Sequence, residues 1–274
     1  MMIRKALKSI LLYGFTFLVA VQVASAGGVN VVGGLTREAA LKPGGKTEGT
    51  ILLQNISEEP QEVRVYQSDY LRFADGTSVY GDPGSVARSN SSWITFTPRQ
   101  ITIPAGETAS VYYTVQAPED EKLVGTYWSL LMVEPLAKGR LEPSKQEKGK
   151  ISLGIQTVMR YAVQIISNIG DTGKVEMKFT NRQLLVQGDQ RVLQVDIENT
   201  GERALVPLLW TEIYNPEGAS LGRFEGRRLR LYPGCSGRFR VDLSQLSRGN
   251  YDALVVADNH DEYVFGTQCK LVIP

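Results

Sequence analysis

The chain has 274 residues, 42% of them hydrophobic and 22% charged. That balance is ordinary for a globular protein and excludes both wholesale disorder and a polytopic membrane protein. Thirty basic against 29 acidic residues give no global attraction to nucleic acid. A single histidine and two cysteines exclude a multi-histidine metal site and the Cys₄ and Cys₂His₂ zinc sites. The length suits about two domains.

The first segment reads as a secretory signal peptide over residues 1–26. Arg4, Lys5 and Lys8 precede an apolar stretch from Ile10 to about Val23, and the small-residue exit Ala24-Ser25-Ala26 follows. The expected mature chain starts at Gly27 and is slightly acidic, because three basic residues leave with the leader. An uncleaved anchor helix is the alternative. No later apolar stretch approaches the length of a membrane span. Export places Cys235 and Cys269 in an oxidising compartment, periplasmic or at the cell surface. A disulfide between them is one expectation, and two buried free thiols are the other.

From there the sequence reads as strands, with alternation of period two bounded by Gly, Pro, Asn and Asp. Strands are expected at 50–55, 63–67, 93–97, 99–103, 110–116 and 127–134. The longest alternating run is Ile151, Leu153, Ile155, Thr157, Met159, Tyr161, Val163, Ile165. A polar, Gly-rich hinge follows over 167–173. Beyond it strands are expected at 192–198, 205–214, 228–231, 238–243, 251–257 and 263–273. No helical period of ten residues or more is found. Trp93, Trp128 and Trp210 read as core anchors.

The two halves follow one plan. Leu53-Gln-Asn55 entering an acidic turn matches Ile197-Glu-Asn199. Pro104-Ala-Gly106 before a strand matches Pro233-Gly234. Gly125-Thr-Tyr127 matches Gly249-Asn-Tyr251. Each Asn is expected to bond local backbone at a strand end, and each Tyr to act as a tyrosine corner. The reading is all-β: two immunoglobulin-like β-sandwich domains in tandem, over 28–168 and 172–274. The polar stretch Phe73–Ser92 is extra to the first.

Three stretches give the first domain a resemblance to the periplasmic PapD-like pilus chaperones. They are Thr36-Arg37 before Pro43-Gly44; Trp93 to Gly106 with its Pro98 and Pro104-Ala-Gly106; and Ile151 to Tyr161 with Gln156-Thr157 and Arg160. The resemblance covers roughly 130 residues. It implies two angled immunoglobulin-like domains and an exported chaperone for a pilin-like or secreted subunit, bound by β-strand addition. It also implies donation of Ile151, Leu153 and Ile155, with Met159 on the same face, to the subunit. Arg37 and Arg160 would hold the subunit's terminal carboxylate. The chain departs from the family's pattern at Gln164-Ile165, where Arg-Pro is expected, and at Arg160, where lysine is expected. A weaker similarity, to WxL-interacting surface proteins, implies instead a structural surface module binding cell-wall glycan or another surface protein, with a polar or aromatic patch in Phe73–Ser92.

The remaining clusters have plain readings. Lys138 to Lys150 is a basic loop suited equally to partner capture and to solvation. Asp258-Asn-His260-Asp-Glu262 lacks calcium-loop spacing and suits a hairpin turn. Arg223, Arg227, Arg228 and Arg230 read as a solvated strand pair. No Gly-x-Ser-x-Gly elbow, phosphate loop or Cys–His pair is present, so no enzyme and no cofactor are expected.

Overall fold

The computed structural model describes residues 28–136, 158–260 and 262–274. The leader, the basic loop after Leu136 and the positions Ile151, Leu153 and Ile155 lie outside the described residues. Strands dominate. In chain order they are β1 (Val29–Val32), β2 (Thr36–Leu41), β3 (Lys46–Asn55), β4 (Gln61–Arg72) and β5 (Ser78–Gly81). Next come β6 (Ile94–Thr97), β7 (Gln100–Ile103), β8 (Thr108–Gln116), β9 (Gly125–Pro135) and β10 (Tyr161–Ile169). After the hinge follow β11 (Met177–Gln187), β12 (Gln190–Asn199), β13 (Leu208–Tyr214) and β14 (Ser220–Arg228). The chain closes with β15 (Ser236–Asp242), β16 (Gly249–Asn259) and β17 (Tyr263–Ile273). No helix among the described residues is long and apolar enough to cross a membrane.

The first ten strands make two facing sheets. One runs β1-β3-β8-β6; the other runs β2-β10-β9-β4-β5, with β7 also on β4. Alternate residues point inward, as the period-two pattern requires. Ile51, Leu53, Val63, Val65, Val111, Leu131 and Val163 fill the space between them. Burying each such side chain is worth about 1.5–3 kcal/mol. The last seven strands repeat the scheme, with β11-β12-β15 facing β14-β13-β16-β17 over Leu193, Val195, Ile197, Phe239, Val241 and Val255.

The internal repeat holds at atomic detail. The Asn55 side chain is fully buried. Its amide donates to the carbonyls of Glu59, Ile103 and Pro104 at 2.7, 3.0 and 3.0 Å, and its oxygen accepts from Ser57 N–H at 2.9 Å. Asn199 donates to the carbonyls of Arg203 and Leu231 at 2.7 and 2.9 Å and accepts from Gly201 N–H at 3.0 Å. Each Asn thus ties a strand end to the turn before the next strand of the same sheet. Tyr251 forms the expected corner, its hydroxyl donating to the Ser247 carbonyl at 2.9 Å. Tyr127 instead sets its ring on Trp93, with centroids 4.6 Å apart.

Several expectations need correcting. Residues 228–231 are not a strand; only an isolated bridge joins Leu205 and Leu231. The strand there is β14, an exposed edge whose polar sequence lacks alternation. β1, β2, β5 and β11 also escape the pattern, being short or two-sided polar. Cys235 and Cys269 are free thiols. Cys235 is buried in a cluster at the domain junction, while Cys269 stands mid-strand opposite Ala253 beside the second core, so no bridge joins them. Burial raises the pKa of both thiols. Trp93 belongs to the first core and Trp128 to the junction. Trp210 is only half-buried, with Arg223 4.2 Å over its ring. Asp258 lies within β16, and His260 lies between β16 and β17 at φ 59°.

Candidate functional site: an open strand edge and the domain junction

The site begins at a sheet switch. β1 pairs antiparallel with β3. At Gly33-Gly34, where Gly33 takes φ 86°, the chain crosses to the other sheet, and β2 pairs in parallel with β10 from Gln164↔Thr36 to Ile169↔Leu41. Gln164 N–H donates to the Leu35 carbonyl at 2.8 Å. In a strand, the N–H and C=O of alternate residues face the same neighbour. Those of Ala162 therefore face the β2 side, and β2 begins too late to meet them. Among the described residues nothing pairs with β10 on that side before Gln164. The other side of β10 is fully occupied by β9, from Tyr161↔Val133 to Ile169↔Gly125.

Apolar side chains surround this opening. Val32 and Leu35 flank the switch, and Val158 and Met159 lead into β10; all four are exposed, Met159 at 61%. The Tyr161 hydroxyl donates to Asn30 Oδ1 at 2.8 Å and ties the start of β10 to β1. Val163, Ile165 and Ile169 point into the first core, and Tyr161 packs against it. Met159 shares their phase in sequence but lies outside the strand, in solvent.

Arg37 and Arg160 stand at different ends of this edge. Arg37 is level with Ile165 and donates to the carbonyls of Gly34 and Thr36 at 2.5 and 3.1 Å. It borders a notch of about 170 Å³ with Glu48, Tyr113 and Ile165. Burial raises the pKa of the Tyr113 phenol, and the Arg37 charge nearby opposes that shift. Arg160 precedes β10 and lies 3.9 Å from Glu134, which Arg64 holds more closely at 2.6 Å. The five steps from Arg160 to Ile165 span about 16 Å of extended chain. One guanidinium therefore marks each end of the open edge. A third comes from the second domain and was not anticipated from sequence: Arg230 bridges to Glu38, next to Arg37, at 2.9 Å.

Part of the extra segment Phe73–Ser92 reaches the domain junction, through Ala74, Val86 and Arg88. Asp69, almost fully buried on β4, accepts from Val86 N–H at 2.9 Å and from Ser89 Oγ at 2.6 Å, which pins the segment. Buried Asn90 donates to the Ile165 carbonyl and to Ser167 Oγ at 3.1 and 2.9 Å. Ala74 N–H reaches Ser236 Oγ of the second domain at 2.9 Å, and Arg88 pairs with Glu202 at 3.1 Å. Between the domains Trp128 and Tyr232 stack at 4.6 Å and 11°, and the Trp128 indole donates to the Tyr70 carbonyl at 2.8 Å. The Tyr232 hydroxyl donates to Gln164.

No family model matches the chain and no curated protein matches it. Solved structures do. The chaperone–tip adhesin complex of CFA/I fimbriae aligns at 13% identity over 90% of this chain and 98% of that one, with TM-score 0.45. The CsuC–CsuE pre-assembly complex of archaic Csu pili from Acinetobacter baumannii aligns at 12% over 89% and 97%, TM-score 0.42. The Salmonella enterica SafA pilin–SafB chaperone complex aligns at 13% over 90% and 96%, TM-score 0.38.

Proposed function

We propose that the protein is an exported, non-enzymatic chaperone that binds a pilin-like or secreted subunit in the periplasm by strand addition along the open side of β10. One observation carries this reading: past the sheet switch at Gly33-Gly34, no described residue pairs with the β2 side of the first part of β10, which is ringed by exposed Val32, Leu35, Val158 and Met159. An incoming strand satisfies the Ala162 backbone and covers that apolar rim. It occupies the line that β2 continues, so a partner running parallel to β10 ends head-on at the start of β2. Its terminal carboxylate then meets Arg37, whose guanidinium forms forked, charge-assisted bonds. Arg160 attracts the acceptor side of the incoming backbone at the other end. In Phe73–Ser92, the stretch on which a glycan-binding reading depends, Ala74, Val86 and Arg88 reach the junction, while Val79 and Tyr80 stay exposed.

The test uses peptides of about ten residues with alternating apolar positions, made both with a free C-terminus and as the amide, and followed by fluorescence anisotropy. The free acid is expected to bind roughly tenfold more tightly than the amide, in keeping with about 1.5 kcal/mol for a charged hydrogen bond. Arg37→Ala should erase that difference, and Ala162→Pro should abolish capture of both forms. Equal binding of both peptides by the native chain and by Ala162→Pro rejects the proposal.

A further inference from the structure

The second domain carries a groove that strand addition does not use. It runs between β14 and β15 and encloses about 490 Å³, within the range of small-ligand sites. The two strands belong to different sheets, yet they close tightly: a Cβ on Gly226 would lie 2.6 Å from the Arg240 carbonyl oxygen. Register slips at the same place. Leu208 faces Arg228 but Trp210 faces Glu225, so Gly226 and Arg227 together oppose Leu209. Such a bulge redirects the side chain it carries, and here that side chain is Arg227. Arg227 and Arg240 line the groove from its two strands, and both are exposed.

The charges in the groove do not balance. Glu225 is held by Arg223 at 2.9 Å. Asp242 accepts from Ser244 N–H at 2.9 Å and Ser244 Oγ at 2.5 Å. Arg238 is gripped by both oxygens of Asp196 at 2.8 Å. Among the described residues neither Arg227 nor Arg240 has an ion-pair partner. Two guanidiniums without an ion-pair partner on neighbouring strands, beside a third held by Asp196, offer forked donors of the kind that bind an oxyanion.

We propose that this groove binds a phosphate-bearing ligand of the size of a sugar phosphate or a phospholipid headgroup, with one phosphate bridging Arg227 and Arg240. The site shares no residue with the open edge of β10, so loss of peptide capture there leaves it intact. The mature chain is titrated calorimetrically with glycerol phosphate at constant ionic strength. It is also sedimented with vesicles of phosphatidylglycerol or of phosphatidylcholine. Saturable binding of glycerol phosphate is expected. The Kd should rise at least tenfold in Arg227→Gln/Arg240→Gln, rise less in Arg227→Lys, which keeps the charge and loses the fork, and stay unchanged in Arg182→Gln on β11. Added sedimentation on phosphatidylglycerol alone identifies a lipid headgroup; saturation by glycerol phosphate without it identifies a soluble phosphate. Titration that does not saturate, or equal affinity in the double variant, overturns the proposal.

Discussion

Asn55 and Asn199 show how one side chain closes a sandwich edge. Each is fully buried, and each donates to two or more carbonyls across the turn while accepting a backbone N–H. Truncation removes all of these hydrogen bonds from a buried site, at about 0.5–1.5 kcal/mol apiece. Asn55→Ala and Asn199→Ala are each expected to lower unfolding free energy by roughly 3 kcal/mol in urea titrations, with little change in the slope. A loss below about 1 kcal/mol would mean that water replaces the amide. Asp196 makes a second residue-scale case. The Arg238 guanidinium, on two 2.8 Å bonds, holds its carboxyl below the usual carboxylate range despite burial acting the other way. A lowered folded pKa gives stability that is present above the unfolded value near 4 and lost as pH falls below it. Native protein should therefore lose stability more steeply than Arg238→Gln in acid titrations from about pH 5 downward. Parallel curves would show that the pair contributes nothing to folding.

At the scale of elements, what the sequence revealed depended on which faces were buried. Strands with one face in a core, such as Val63–Gln67 within β4 or Ser110–Gln116 within β8, alternate cleanly, and so they were legible. Edge strands are not. β14 is exposed along most of its length, so nothing forces alternation, and its arginines read as a solvated pair when one of them sits on a bulge. The repeat of Asn and Pro-Gly landmarks was legible because a buried side chain and a positive-φ turn both restrict residue type. The open edge of β10 was not, since it depends on where β2 begins, and β2 is polar and short. The role of Phe73–Ser92 was also hidden, because its partners lie more than a hundred residues away in the second domain. The edge itself is testable through folding alone. The Ala162 N–H faces the side on which no described residue pairs, and the Val163 N–H faces β9. Ala162→Pro should leave stability nearly unchanged, as edge positions tolerate proline. Val163→Pro should cost about 3 kcal/mol or more. Equal destabilisation by the two would place a neighbour on both sides of β10.

At the scale of the whole molecule, the junction decides whether the two sandwiches behave as one body. Thr126 N–H donates to the Glu202 carbonyl at 2.8 Å, and Ala204 N–H donates to Thr126 Oγ1 at 2.9 Å. The approach is so close that a Cβ on Gly125, at φ 72°, would fall 2.1 Å from the Glu202 carbonyl oxygen. With the Trp128–Tyr232 stack and the Arg230–Glu38 and Arg88–Glu202 pairs, the β10 edge and the second domain are held in fixed relation, and Gln164 connects the two through Tyr232. Tyr232 lets this coupling be read. Burial raises its phenol far above the ordinary tyrosine value, against a smaller opposing effect of the Arg230 charge. A raised folded pKa gives stability that is complete below the unfolded pKa near 10 and is lost as pH climbs past it, at about 1.4 kcal/mol per pH unit. Unfolding measured from pH 8 to 11.5 should therefore show native protein weakening above about pH 10 more steeply than Tyr232→Phe. That variant keeps the ring on Trp128 and removes only the titrating hydroxyl. If the junction couples the domains, the added loss appears in a single transition that moves both cores together. Two separate transitions, or identical alkaline slopes for the native chain and the variant, would show that the phenol is solvated and the sandwiches turn independently.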